Sequence, residues 1–111
     1  MQRFILFLDL QEDPELIREY ENHHVSIPAE ISKSITDSGI ESMEIFRFEN
    51  RMCMEIVAND TFSFSTKNAL DASNPAVQAW EKLMSKYQKL IPGTPDGAKW
   101  VVANSIFSLT K

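Results

Sequence analysis

The period of the apolar positions changes several times along the chain, and each change marks an element. Residues 3–10 read Arg-Phe-Ile-Leu-Phe-Leu-Asp-Leu, apolar on both faces until Asp9, which predicts a strand central in its sheet. Gln11-Glu12-Asp13-Pro14 is a helix start, with Asp13 able to cap and Pro14 suited to the first helical position. Leu16, Ile17 and Tyr20 follow at helical spacing and run into His24. Pro28 marks a kink or a restart, with Ser26 able to cap the second piece. Ile27, Ile31 and Ile35 form its apolar stripe, and Gly39 is a candidate helix C-cap.

Residues 40–48 and 51–58 predict two strands joined by a very short turn at Glu49-Asn50, hence an antiparallel hairpin. Glu44, Arg47 and Glu55 break its alternation; each either faces solvent or lines a pocket. Asn59-Asp60-Thr61 predicts a cap before a short amphipathic helix over about 62–72. Asn74-Pro75 repeats the cap-plus-proline signal and opens the longest helix, to about Leu90. Val77, Trp80, Met84 and Tyr87 share one stripe of it, with Leu83 and Leu90 beside them. Residues 92–97 are a loop by composition, and residues 100–109 predict a last strand.

This order is the split, ferredoxin-like βαββαβ pattern: an α+β fold whose four-stranded antiparallel sheet carries helices on one face. The other face would be a large exposed apolar patch unless covered. A homodimer stacking two such sheets face to face covers it economically.

Composition narrows the function classes. The 111 residues fit one domain, 1–111, and a 43% apolar content with seven Phe argues for a folded globule. Net charge is −5 with no Lys/Arg cluster, which argues against nucleic acid or an anionic membrane surface as partner. Phe4 to Leu8 is too short for a membrane span and has no signal-peptide flanks, so the expected compartment is the cytoplasm. Cys53 stands alone in an apolar strand-like run and is expected to be buried and inert.

Several templates for catalysis fail. The glycines are Gly39, Gly93 and Gly97, which form no phosphate loop, and there is no Cys/His metal set, so neither metal nor cofactor is expected. What remains is Tyr20-x-x-x-His24. Four residues apart on a helix, the two side chains share a face, and a phenol with an imidazole can move protons near neutral pH. On spacing alone, the two adjacent histidines are more simply polar residues fraying at a helix end. Trp80 and a supply of carboxylates suit a neutral polyhydroxylated ligand. By default, however, Trp80 is a core residue and Glu81 a solvated charge.

Over essentially its whole length the chain resembles the L-rhamnose mutarotase family, which includes relatives acting on L-fucose. The matching pieces are Tyr20-x-x-x-His24 followed by Glu30; Gly39-Ile40-x-x-Met43-Glu44-Ile45-Phe46-Arg47-Phe48; Asn74-Pro75-x-Val77-Gln78-x-Trp80-Glu81-x-Leu83-Met84; and Lys99-Trp100-Val101 with Ile106-Phe107-x-Leu109. The resemblance implies a dimeric α/β barrel without cofactor that interconverts the α and β anomers of a deoxy-hexose pyranose. It maps the catalytic histidine onto His24, a substrate-binding tyrosine onto Tyr20 and the first of a tryptophan pair onto Trp80.

Three positions depart from the pattern. Glu81 stands where the second tryptophan would be, Met43 where a substrate-contacting tyrosine would be, and Pro28-Ala29 in place of a Trp-Pro step. Trp80, Glu81, Met43 and Glu44 are therefore the expected sugar-contacting residues, with a lean toward the fucose-type branch. Glu81, Glu44 and Glu55 are open as the base that partners His24. An alternative from another class is a non-catalytic or haem-binding dimeric α/β-barrel protein.

Overall fold

Capping and proline placement set most element boundaries. In the computed structural model, which describes residues 1–110, β1 is Gln2–Leu10, α1 Pro14–His23, α2 Ala29–Asp37, β2 Ile40–Phe48 and β3 Arg51–Ala58. They are followed by α3 Phe64–Ala72, α4 Pro75–Ser85, β4 Gln88–Lys89 and β5 Val101–Val102. Asp13 caps α1 by accepting from the amides of Glu15 and Leu16, and Asn74 caps α4 in the same way through Ala76 and Val77. Pro14 and Pro75 open those helices, as expected for a residue whose missing N–H would be unsatisfied there anyway.

The sheet is antiparallel in the order β2-β3-β1-β4, with β5 pairing β1 as well. β1 is thus internal: β3 runs along one edge, and β4 and β5 share the other. Its register sets Leu6, Leu8 and Leu10 opposite Met54, Met52 and Asn50's neighbourhood on one side of the pleat, where the helices lie. Leu8, Leu10, Met52 and Tyr87 are the largest fully buried side chains. Around them gather Tyr20 and Met84, while Ile40, Ile56, Ala58 and Phe62 continue the core toward the other end.

The opposite face of the sheet has no helix over it. The alternation puts Ile5, Phe7, Phe46, Cys53 and Val101 there, with Arg3–Glu55 and Arg51–Asp9 ion pairs toward its ends. Cys53 is therefore only partly buried, not sealed in the core, because its strand parity is opposite to that of Met52 and Met54.

Four local expectations give way to tertiary geometry. Ser26 caps nothing: Pro28 occupies the N-cap position of α2 in an extended conformation, two residues beyond it. Asn59 does not cap α3; its side chain folds back to accept from Thr61, and Ser63 makes the cap. The helix predicted to reach Leu90 stops at Ser85, because Gln88 and Lys89 pair with Leu10 and Asp9 and the Tyr87 carbonyl accepts from the Gln11 amide. The last strand pairs only at Val101–Val102, with one further bond from Ala103 to Ile5. Asn104 and Ser105, poor strand formers, follow at once, and Ile106, Phe107 and Leu109 lie exposed.

Gly39 does terminate α2 as expected, at φ +102, and a Cβ there would stand 2.9 Å from the Asn59 side chain. Gly39→Ala combines left-handed backbone with that clash and is expected to cost at least about 1–2 kcal/mol. Urea unfolding would read it as a lower midpoint with unchanged slope; an unchanged midpoint would show that the 59–62 turn yields freely.

Candidate active site

The end of α1 is built so that consecutive residues serve different neighbours. Tyr20, on the inward face of the helix, is buried against Leu10 and Tyr87. His24, the residue that caps the helix, turns its ring back over the last turn. Its Nδ1 lies 2.8 Å from the Tyr20 carbonyl oxygen. A carbonyl only accepts, so Nδ1 carries a hydrogen and the neutral ring keeps its lone pair on Nε2. The Tyr20 and His24 rings stack at 4.4 Å between centroids, and Trp80 from α4 meets the His24 ring edge-on at 5.5 Å.

Tyr20 and His24 line a cavity of about 290 Å³ between α1 and the helix-side face of β1, β2 and β3, and Trp80 stands behind the His24 ring outside the lining. Leu10, Ile45 and Met52 form its apolar part; Tyr20, Glu21, His24 and Arg47 supply its polar part. The volume is at the small end for ligand pockets. A larger concavity, about 420 Å³, lies between the 91–98 loop and Trp100 to Val102, but no titratable side chain lines it. Tyr20 and His24 thus belong to the smaller cavity.

Burial pushes the Tyr20 phenol above its ordinary pKa, opposed by a hydrogen bond with Gln88. At neutral pH Tyr20 is thus a hydrogen-bond donor and not a base. Gln88 is on β4, and its Oε1 is buried without a hydrogen-bond partner. The sequence places this residue inside a helix, which hides its approach to Tyr20.

His23 is not a frayed surface residue. Its Nε2 is 3.2 Å from the Tyr87 hydroxyl, and that hydroxyl donates to Glu19 at 3.1 Å. With the Tyr87 proton committed to Glu19, neutral His23 must donate from Nε2, the opposite tautomer to His24. His23 also meets Trp80 edge-on, at 6.3 Å. The two histidines thus brace one tryptophan, with only His24 lining the cavity.

Of the residues expected from sequence, the fold gathers Tyr20, His24 and Trp80. It does not bring in the others. Glu44 lies on the uncovered face of the sheet, opposite Glu55, because its parity on β2 is opposite to that of Met43 and Ile45. Glu44 and Glu55 thus lie across the sheet from His24. Met43 faces the helices but packs in the neighbouring cluster around Ile56, away from the cavity lining. Glu81 is exposed on α4, and only its backbone carbonyl is engaged, by Ser85 and Lys99. Two further residues line the cavity, Arg47, which the sequence left open between solvent and a pocket, and Glu21, which it did not single out; a 2.7 Å ion pair joins them. Their signal was available: Arg47 shares the parity of Met43 and Ile45, and Glu21 sits three residues before His24.

Among the described residues no group of three His, Cys, Asp or Glu could hold a metal ion, and no helix is long and apolar enough to cross a membrane.

The chain matches the family model for L-rhamnose mutarotase over residues 3–109. It is 39% identical over 113 residues to an L-fucose mutarotase of Xanthomonas campestris pv. campestris, covering 100% of this chain and 90% of that protein. Among solved structures, an L-rhamnose mutarotase from Formosa agariphila superposes with a TM-score of 0.72 at 16% identity, covering 98% of this chain and 99% of that one. The tetracenomycin F2 cyclase of Streptomyces glaucescens, a type-II polyketide cyclase, gives 0.64 at 17% identity, over 100% and 99%. At such identities the structures share the fold alone.

Two outcomes follow for this end of the molecule. His23→Ala removes the donor to Tyr87 and is expected to cost about 1 kcal/mol, lowering Tm by several degrees; a Tm equal to that of the unsubstituted protein would make the contact inconsequential. The Tyr87 phenol is also pushed above its usual 10.0, by burial first and then by its bond to Glu19. Because the folded pKa is raised, the stability from Tyr20 and Tyr87 is complete below the unfolded value and is lost as pH climbs past about 10. Denaturation followed from pH 8 to pH 12 should show this fall, and Tyr87→Phe should flatten it.

Proposed function

The chain belongs to the L-rhamnose mutarotase family of carbohydrate isomerases, and within that family we propose that it interconverts the α and β anomers of a 6-deoxy-hexose of the L-fucose type. The 39% identity with an L-fucose mutarotase supports the fucose lean. One observation carries the mechanism: the Nδ1 of His24 is held by the Tyr20 carbonyl, which leaves Nε2 as its only proton-exchanging atom, on a residue that lines the cavity.

Mutarotation opens the ring and recloses it on the other face of the carbonyl. His24 as imidazolium delivers its Nε2 proton to the ring oxygen as the bond between that oxygen and the anomeric carbon breaks. The anomeric hydroxyl gives its proton to water, leaving a neutral open-chain aldehyde. Rotation about the bond to the next carbon presents the other carbonyl face. On closure the hydroxyl formed from the ring oxygen attacks, returns a proton to His24, and the new anomeric oxygen takes one from water. An imidazole suits both directions because its two protonation states are accessible near neutral pH. One positioned acid–base group contributes on the order of 10²–10⁴-fold.

Tyr20, held neutral by burial, positions the sugar as a donor. Trp80 keeps the imidazole in place through its edge-on contact with the His24 ring, and would meet the sugar only at the rim of the cavity. The single domain works as a homodimer, which covers the apolar face carrying Ile5, Phe7 and Phe46. A free monosaccharide substrate and a lone thiol fit the cytoplasm. Since the polyketide cyclase shares this fold, the architecture does not choose the chemistry; the cavity and the family do.

Proton NMR saturation transfer between the α and β signals of L-fucose tests the reading. The protein is expected to accelerate exchange, and His24→Ala to lose at least about 100-fold of that acceleration while keeping its fold. Equal acceleration by the two proteins would remove His24 from the reaction, and no acceleration of L-fucose or L-rhamnose exchange would remove the function.

A further inference from the structure

Arg47 is a misfit at its position. The helix-side positions of β2 and β3 around it are Met43, Ile45, Met52, Met54 and Ile56, all apolar. A guanidinium on this side loses part of its hydration, since only 34% of the Arg47 side chain is exposed, and that loss needs compensation.

Two contacts answer it in part. Nε donates to Glu21 Oε2 at 2.7 Å, and Nη1 donates to the Glu49 carbonyl at 2.8 Å. They use two of the five N–H groups of the fork. The others, and Glu21 Oε1, have no protein partner among the described residues. An ion pair this accessible adds little stability of its own, so a clip between α1 and β2 is a weak reason for it. Yet both residues line the cavity that holds His24.

We infer that Arg47 and Glu21 form a binding subsite for two neighbouring ring hydroxyls of the sugar, and that this subsite reads their configuration. The inference rests on the mutarotase reading above. A fixed carboxylate accepts from one hydroxyl while the planar guanidinium donates to the next, so donors and acceptors alternate as they do along a diol. The ion pair holds both groups in place before the sugar arrives, which lowers the ordering cost of binding. L-fucose and L-rhamnose differ in configuration at C2 and C4, so a pair fixed in direction matches one of them and leaves its own polar groups unpaired with the other. His24 lies one helical turn beyond Glu21, so the hydroxyls in question are those away from the reacting anomeric end.

The test measures kcat/KM for anomer exchange of L-fucose and of L-rhamnose with the unsubstituted protein, Arg47→Met, Arg47→Lys and Glu21→Gln, alongside Tm. The expected result is a loss of at least about tenfold in kcat/KM for the preferred sugar in Arg47→Met, mainly through KM. The ratio between the sugars should fall toward one, with Tm within a few degrees. Arg47→Lys keeps the charge but not the fork, so it should fold normally and still lose discrimination. Glu21→Gln, which still accepts through its carbonyl, should fall between. Variants that keep the ratio between sugars overturn the subsite and leave the mutarotase function standing. Loss of Tm with an unchanged ratio in Arg47→Lys makes the pair a structural clip and overturns it equally. No exchange on either sugar by the unsubstituted protein overturns the function and the subsite together.

Discussion

Everything in this molecule leans on the side-to-side alternation of β1. Leu6, Leu8 and Leu10 point to the helices and are almost completely buried, so the strand's position and register cannot slip by one residue without exposing all three. Because β1 is internal, it fixes the hairpin of β2 and β3 on one edge and the short strands β4 and β5 on the other. The pairing of Leu10 with Gln88 carries this register to Tyr20, since Gln88 is the side chain that meets its phenol. The cavity sits at this end of β1 for the same reason: Leu10 is its floor.

The site itself is a helix terminus put to use. Carbonyls in the last turn of a helix lack amide partners. At the end of α1 one of them, that of Tyr20, accepts from the His24 ring instead. A single bond thus satisfies an orphan backbone group and sets a tautomer. The neighbouring His23 takes the opposite tautomer because it faces a hydroxyl already donating to Glu19. Two adjacent identical residues are differentiated entirely by their partners, and Trp80 is held between their rings.

The two faces of the sheet divide the labour. On the helix side, Tyr20, Glu21, His24 and Arg47 border the cavity. On the uncovered side, apolar residues of β1, β2 and β3 lie between two ion pairs, Arg3 with Glu55 and Arg51 with Asp9. Carboxylates on that side are separated from His24 by the sheet, so parity along a strand decides which acids can take part in chemistry.

The local features follow from short-range pattern. Prolines 14 and 75 with their caps, the two-residue turn at Glu49-Asn50, the positive-φ glycine at 39 and the Tyr20–His24 spacing are all settled by neighbours a few residues away. The quoted motifs carried the family. The remaining features depend on contacts between distant segments. Helix α4 ends early because the edge of β1 offers Gln88 and Lys89 better hydrogen bonds than another helical turn. His23 becomes a donor because Tyr87 is brought beside it from 64 residues away. Glu44 and Glu81 leave the site, and Glu21 with Arg47 enters it, because the cavity is made where α1 crosses the hairpin. Pattern along a chain fixes which face a side chain takes, but only packing brings two faces together.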